Sequence, residues 1–199
     1  KTLYKPSSSQ PHNYYNLFSD STAYFLTWSL GASPGKRVIS FDEVNVSSIP
    51  KDEFHWEEQL RVFANQYSNG NGKFVGQDRA PIHDTSFGQG EGWTGTFLRQ
   101  GNFTDYQIDL LINGVALETP MIEILLVGRD ESTHSAEILV GPNTGALRSI
   151  TVQNFVDFET LKISSPLNWS DIGADGKIIV RLADKTTNTR PQFSASYIK

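Results

Sequence analysis

The sequence predicts a mainly β protein, an antiparallel β-sandwich of the jelly-roll kind. Three observations support this fold class: short strand-like segments follow one another from Gly95 onward, turn clusters such as NTGA and GADGK separate them, and no helical pattern intervenes. Each segment is rich in β-branched residues or alternates between apolar and polar ones. In chain order the segments are NFTDYQIDLLI, MIEILLVGRD, HSAEILVG, LRSITVQNF, FETLKIS, KIIVRLAD and QFSASYIK.

The sequence pattern of residues 1–80 predicts a separate, smaller unit. TAYFLTWSL at 22–30 and RVISFDEV at 37–44 flank the turn GASPGK, which favours a β-hairpin. The segment FHWEEQLRVFANQY spaces its bulky residues like one face of an amphipathic helix, namely Trp56, Leu60, Phe63 and Tyr67. We therefore expect a hairpin-plus-helix unit over residues 1–80 and the sandwich over residues 81–199.

The composition excludes several classes of function. Acidic residues outnumber basic ones by 22 to 17, and Lys36-Arg37 is the only adjacent basic pair, which argues against a nucleic-acid partner. No apolar run approaches the roughly 20 residues that span a bilayer, so membrane insertion is not expected. The absence of Cys excludes thiolate metal sites and cysteine nucleophiles within these 199 residues.

The segment SFGQGEGWTG, residues 86–95, is the most distinctive motif. Its glycines at 88, 90, 92 and 95 match neither of the two glycine-rich nucleotide-binding motifs, G-x-G-x-x-G and G-x-x-x-x-G-K-[ST]. The Lys that the second motif requires is also absent at the matching position. The favoured interpretation is architectural: Glu91 accepts hydrogen bonds from the loop amides while Trp93 anchors the first strand of the sandwich. The alternative makes Glu91 the acid or nucleophile of a glycosidase, which requires a second carboxylate beside it.

Aromatic residues and acidic turns supply the other candidate sites. Trp169, in the turn SPLNWSD, is the Trp least securely assigned to the core, and an exposed indole could stack on a sugar ring. The turn DIGADGK at 171–177 and the segment GRDES at 128–132 carry oxygen ligands of the kind calcium takes, although neither has the EF-hand pattern. The four His share no ligand spacing. We expect no cofactor, with a structural calcium as the one exception left open.

Four segments together resemble a known group of proteins: NYYNLFSDSTAYFLTW at 13–28, GQGEGWTG at 88–95, HSAEILVG at 134–141 and PQFSASYIK at 191–199. In that order they are similar to large cell-surface proteins that Bacteroidetes export by type IX secretion, including relatives of gingipain-type cysteine peptidases. The resemblance implies a non-catalytic β-rich region ahead of the peptidase domain, in an extracellular or outer-membrane-attached setting. No catalytic residue of that group maps onto this chain.

The main hypothesis is therefore a non-enzymatic accessory region of a secreted bacterial surface protein. The abrupt start and the uncapped final strand suggest a piece of a longer protein, and the expected partners are its neighbouring domains, a glycan or a surface protein. One alternative is a carbohydrate-binding module, with Glu91, Trp93 and Trp169 as candidate ligand-binding residues. The other is a sandwich glycosidase or lyase that uses Glu91.

Overall fold

The structure, a computed structural model, describes residues 57–70, 72–75, 80–83, 88–109, 118–187 and 192–199. The hairpin expected at 22–44 lies outside these residues. The strands are β1 (Arg61–Val62), β2 (Gln66–Asn69), β3 (Gly72–Val75), β4 (Ala80–His83), β5 (Glu91–Thr94), β6 (Leu98–Arg99), β7 (Phe103–Asp109), β8 (Met121–Gly128), β9 (Thr133–Gly141), β10 (Arg148–Val156), β11 (Thr160–Pro166), β12 (Lys177–Asp184) and β13 (Gln192–Ile198). Within the described ranges the one helical element is a 3₁₀ turn, Trp169–Asp171.

Two antiparallel sheets form the sandwich and confirm the predicted fold class. Sheet I has the order β1-β13-β8-β11, with β6 pairing the start of β13, and sheet II has the order β10-β9-β12-β7. Two short ribbons accompany them, β2 paired with β5 and β3 paired with β4. Seven segments that the sequence predicts as strands correspond to β7 through β13.

The core lies between the inner faces of the two sheets. Strand β9 shows why the sequence folds this way, since its even-numbered residues from His134 to Val140 are buried and its odd-numbered residues from Thr133 to Leu139 are exposed or half-buried. From the facing sheet, Ile124, Leu126 and Phe193 pack into the same apolar cluster. Period-two alternation thus buries one face of β9 and of β12, whereas β8 and β13 in the facing sheet are buried on both faces over most of their length.

The prediction of a helix in the segment 54–67 is wrong over residues 57–67, the part of the segment that the structure describes. Residues 61–62 form β1, which pairs with β13, and residues 66–69 form β2, which pairs with β5. Phe63 is buried against Tyr106, with ring centroids 4.7 Å apart, but it lies in the segment between β1 and β2 and not in a helix. Backbone pairing with strands far along the sequence outweighs the local helical spacing.

These pairings cross the boundary expected at residue 80. Arg61–Val62 and Gln66–Asn69, assigned by sequence to the first unit, pair with strands of the second. The β2–β5 ribbon also lies over β13, because Gly95 N donates to Ala195 O at 2.7 Å and Ser196 Oγ donates to Trp93 O at 3.4 Å. Residues 61–69 therefore belong with the sandwich.

Loops and turns gather at two opposite ends of the sandwich. One end, the glycine-loop end, carries residues 88–91, 99–102, 129–132, 157–159 and 185–187. The other, the tryptophan end, carries residues 142–147 and 167–176. Strand β10 runs from one to the other, and its nine residues span on the order of 25 Å. A candidate site built from the described residues can therefore lie at either end or on a sheet face.

Candidate functional site

The structure separates the three candidate ligand-binding residues. Glu91 and Trp93 lie on β5 at the glycine-loop end, whereas Trp169 lies in the 3₁₀ turn at the tryptophan end. The length of β10 places the two ends too far apart for one monosaccharide to contact both. The three residues thus form two separate candidate regions.

Both carboxylate oxygens of Glu91 are hydrogen-bonded within the chain. Tyr67 donates its hydroxyl to Oε1 at 2.8 Å, and Gly88 donates its backbone N–H to Oε2 at 3.3 Å. Glu91 N in turn donates to Gly88 O at 3.1 Å, which closes the loop. This arrangement fixes the loop and leaves neither oxygen without a donor, which is a poor starting point for a general acid or nucleophile.

The glycine at position 90 explains why the loop is built from small residues. A Cβ at Gly90 would overlap the carbonyl oxygen of Phe158 in the turn between β10 and β11. Gly92 has φ 134°, a conformation that other residues rarely adopt. The glycines therefore permit a close backbone approach between the loop and the sandwich.

Trp93 is half-buried and packs edge-on against Tyr67. Their ring centroids are 5.5 Å apart with an interplanar angle of 84°, a favourable edge-to-face geometry. The two residues are directly paired across the β2–β5 ribbon. The sequence assigned Tyr67 to a helical stripe, so this pair could not be found without knowing that residues 66–69 form a strand.

Glu91→Ala should lower the stability of the chain. We expect a loss of about 1–2 kcal/mol, because the side chain accepts one hydrogen bond from Tyr67 and one from a backbone amide. Chemical denaturation measures the change. Gln89→Ala is the matched control, since that exposed side chain in the same loop donates only to Thr160 and should change stability by less than about 0.5 kcal/mol. An unchanged stability in the Glu91 variant would contradict a structural role.

Trp169 is presented to solvent on a short, firmly held turn. It is 43% exposed. The turn closes through backbone bonds from Asp171 N to Asn168 O at 2.9 Å and from Ile172 N to Trp169 O at 3.2 Å. Beneath it, Leu167 is buried in the apolar core cluster. The indole is thus exposed while the backbone that carries it is anchored.

An ion pair between a buried carboxylate and a half-exposed guanidinium fixes the base of this turn. Arg148, the first residue of β10, binds Asp171 with two parallel bonds, Nε to Oδ1 at 2.7 Å and Nη2 to Oδ2 at 2.5 Å. Asn168 N also donates to Oδ2 at 2.7 Å. Burial raises the pKa of the Asp171 carboxyl, but the hydrogen bonds from Arg148 and Asn168 and the Arg148 charge outweigh it and hold that pKa below its usual value.

The tryptophan end therefore combines an exposed ring with planar polar groups. The Arg148 side chain is 41% exposed, and Asn168 directly precedes Trp169 and is exposed. Its amide oxygen can accept from Arg148 Nη2 at 3.2 Å in the orientation that satisfies both groups. An indole face can take the C–H face of a pyranose ring, while guanidinium and amide groups bind neighbouring hydroxyls. This set of groups is suited to a sugar.

A second exposed aromatic, Phe103, lies on the outer face of sheet II at the glycine-loop end. It is 55% exposed, and the guanidinium of Arg181 sits over its ring at 4.0 Å from the centroid. Arg181 also binds Asp105 with bonds of 2.6 and 2.7 Å. One ring face is therefore already occupied, in contrast to Trp169, for which no ring or cation contact is found among the described residues.

The two acidic turns do not form the calcium site that the sequence left open. The oxygens of Asp171 are bound by Arg148 and Asn168, and Asp175 binds Lys177, whose Nζ lies 3.5 Å from Oδ2. In GRDES, Asp130 Oδ2 accepts from Gln192 N, and Oδ1, which has no hydrogen-bond partner, lies 3.9 Å from His134 Nε2. Among the described residues no group of three or more His, Asp or Glu side chains could hold a metal ion.

No family model matches the chain, and no curated protein matches it significantly. Solved structures show a distant likeness. One carbohydrate-binding module, CBM36 in complex with calcium and xylotriose, gives a TM-score of 0.41 at 14% identity over 71% of this chain and 98% of that chain. A CBM36 domain of a xylanase from the hindgut metagenome of Trinervitermes trinervoides gives 0.40 at 10% identity over 70% and 94% of the two chains.

A family 35 carbohydrate-binding module from Clostridium thermocellum is similar to the same degree, with a TM-score of 0.39 at 11% identity over 71% of this chain and 98% of that chain. At scores of this size the likeness carries no argument about function, which has to rest on the geometry of the two ends. No helix among the described residues is long and apolar enough to cross a membrane.

Proposed function

We propose that the chain is a non-catalytic carbohydrate-binding module of a secreted bacterial cell-surface protein. The observation that carries the proposal is Trp169, an exposed indole held on an anchored turn beside the exposed groups of Arg148 and Asn168. Stacking on one sugar ring would use the free indole face, and hydroxyls at its edge would bind the polar groups.

Rigidity is what separates Trp169 from an ordinary exposed hydrophobic residue. Single exposed apolar side chains are common and need no function. Here the carboxylate of Asp171, 5% exposed as a side chain, ties the turn to Arg148 on β10, so the indole is carried by a pre-ordered backbone. A pre-ordered binding group loses less conformational entropy when ligand binds, which raises affinity.

The non-catalytic part of the proposal is supported by Glu91. A glycosidase places two carboxyl groups on either side of the scissile bond, and one of them must donate a proton or attack. Both oxygens of Glu91 instead accept hydrogen bonds that close its own loop. The resemblance of four sequence segments further predicts an extracellular setting and export by type IX secretion. It also predicts a neighbouring catalytic domain of the cysteine-peptidase class.

Binding of the purified chain to a broad glycan array tests the proposal, with Trp169→Ala run beside the parent. We expect specific binding by the parent and, in titrations with the sugar identified, at least a tenfold weaker affinity for the variant, as for an aromatic group at the centre of a binding site. Phe103→Ala is the matched control, because it removes an exposed ring at the opposite end and should leave affinity unchanged.

Two outcomes would overturn the assignment. If the parent chain binds no glycan on the array, the carbohydrate-binding function is wrong. If it binds but Trp169→Ala binds equally well while Phe103→Ala does not, the ligand lies on the outer face of sheet II and the tryptophan end is not the site. Denaturation curves of both variants confirm that any loss of binding is not a loss of folding.

A further inference from the structure

The side-chain oxygens beside Trp169 already accept hydrogen bonds from within the chain. Both carboxylate oxygens of Asp171 accept from Arg148, and one of them also accepts from Asn168 N. The amide oxygen of Asn168 accepts from the same guanidinium, at 3.2 Å from Nη2 and 3.3 Å from Nε. The Asp171 side chain is in addition only 5% exposed. A ligand that approaches the indole therefore gains little by donating hydrogen bonds to Asp171 or Asn168.

Donor groups remain at the same place. Arg148 uses Nε and Nη2 for Asp171, while its Nη1 has no hydrogen-bond partner among the described residues. The NH₂ group of Asn168 and the indole N–H of Trp169 belong to exposed residues and can only donate. Ser170 is also exposed and adds a hydroxyl, which both donates and accepts. In this set of side chains, donors thus outnumber the acceptors that are still available.

The charges around the tryptophan end do not favour an anionic sugar. Residues 142–147 and 167–176 contain no Lys or Arg, and the two cations that flank them are both paired. Arg148 binds Asp171, and Lys177 Nζ lies 3.5 Å from Asp175 Oδ2. A carboxylate or sulfate on the ligand would therefore meet no unpaired cation among these residues and would lie close to Asp171. The acceptor that the ligand brings to the donors should be a neutral one.

We propose that the sugar bound at Trp169 carries an N-acetyl group, so that the ligands are glycans that contain N-acetylhexosamine. The acetyl carbonyl is a neutral acceptor suited to Arg148 Nη1 and the Asn168 amide, and the acetamido N–H is suited to the Ser170 hydroxyl. The acetyl methyl adds apolar surface that the exposed indole can cover. A sugar hydroxyl in that place also accepts, but it brings a proton for which few acceptors remain. The inference rests on the proposed sugar site and narrows its ligand.

Calorimetric titration of the purified chain with two neutral trisaccharides tests the proposal. Triacetylchitotriose and cellotriose share one backbone of β-linked pyranose rings and differ in having an acetamido group or a hydroxyl at the second ring carbon. We expect triacetylchitotriose to bind about tenfold more tightly, as one or two additional hydrogen bonds would produce. Trigalacturonic acid, the anionic probe, should bind no more tightly than cellotriose. Trp169→Ala should weaken the binding of both neutral sugars.

Asn168→Asp tests the donor side of the site. It replaces the NH₂ donor by an oxygen and keeps the oxygen that accepts from Arg148, and Asp remains a good residue at a helix N-cap. The preference for triacetylchitotriose should fall to about threefold or less, while the affinity for cellotriose stays within about twofold. Asn143→Asp is the matched control, because it adds the same charge in the neighbouring turn, where its side-chain oxygen accepts from Gly145 N at 3.0 Å. It should keep the full preference.

The results distinguish this inference from the function on which it rests. If no glycan binds, on the array or in titration, the carbohydrate-binding function is wrong and the N-acetyl assignment is wrong with it. If the array yields ligands without N-acetyl groups, or cellotriose or trigalacturonic acid binds as tightly as triacetylchitotriose, the sugar site stands and only the N-acetyl assignment is overturned. An undiminished preference in a folded Asn168→Asp variant overturns it as well.

Discussion

Gly128→Ala should be among the most destabilising single substitutions in the chain, with a loss of at least about 3 kcal/mol, at the upper end of the range for over-packed interiors. Gly128 ends β8 and is buried. A Cβ there would overlap the carbonyl oxygen of Asp157 and approach His134 Nε2 to 2.9 Å. The first of these two atoms, Asp157 O, belongs to the backbone and cannot rotate away as a side chain could.

The damage should extend beyond the clash itself. Asp157 O is the group that binds His134 Nε2 at 2.9 Å, and Asp157 already has φ 53°. Gly128 N also donates to Glu159 O at 2.9 Å, so moving the β10–β11 turn breaks that bond as well. His134 is completely buried between Phe155 and Phe193, and losing its carbonyl partner there leaves a polar atom unsatisfied.

Chemical denaturation, or a fall in Tm of about 6–12 °C, would show this effect. Gly145→Ala is the matched control, because Gly145 is exposed and an added Cβ would meet only Asn143 Oδ1, at 3.3 Å. That variant should stay within about 0.5 kcal/mol of the parent. Equal stabilities of the two variants would show that the turn at 157–159 can move away from β8 freely.

The sandwich strands could be predicted because each carries its own evidence. In HSAEILVG and KIIVRLAD, the alternation of apolar and polar residues predicts which side chains face the core. Both segments form strands whose buried residues alternate in this way. Residues 54–67 carry conflicting evidence, since the spacing of Leu60, Phe63 and Tyr67 also suits a helix. This segment forms a strand and not a helix because Val62 and Arg61 pair with Tyr197 and Ile198 of β13, at the far end of the chain. Such non-local pairing has no local signature.

The site residues were harder to predict for a related reason. An indole in the turn SPLNWSD reads equally well as core or as surface, and only the structure shows that Leu167 is buried while Trp169 is exposed. The pairing of Arg148 with Asp171 joins residues 23 positions apart. The sequence suggested Asp171 as a calcium ligand, because the guanidinium that binds both of its oxygens lies on β10, outside the 3₁₀ turn that contains Asp171.

The two ends of the sandwich differ in whether a buried carboxylate has a cationic partner among the described residues. At the tryptophan end, Asp171 is neutralised by Arg148, and the turn it holds presents an exposed aromatic ring. At the glycine-loop end, Asp184 has no cationic partner among the described residues. A buried charge needs compensation in either case. The tryptophan end therefore already has the compensated charge and the anchored turn that ligand binding requires.

Arg148→Met should destabilise the chain by about 2–3 kcal/mol at neutral pH. Removing one partner of a buried pair typically costs about 3–5 kcal/mol, since the other charge is left buried and unpaired. The effect should fall below that range here because the Arg148 side chain is 41% exposed and partly hydrated. The double variant Arg148→Met with Asp171→Asn should recover much of the loss, since it leaves no unpaired charge, and a double-mutant cycle measures the coupling.

The pH dependence of this effect has a definite sign. In the parent the Asp171 pKa lies below its ordinary value, so the stability it contributes is complete above the unfolded pKa of about 3.9 and is lost as the pH falls through the lower folded pKa. In Arg148→Met the same carboxyl is buried without its cation, which raises its pKa, and acid relieves the unpaired charge. The stability difference between parent and variant should therefore narrow as the pH falls from 7 toward 3. A difference that stays constant over this range would mean that Arg148 acts through packing of its aliphatic stem and not through its charge.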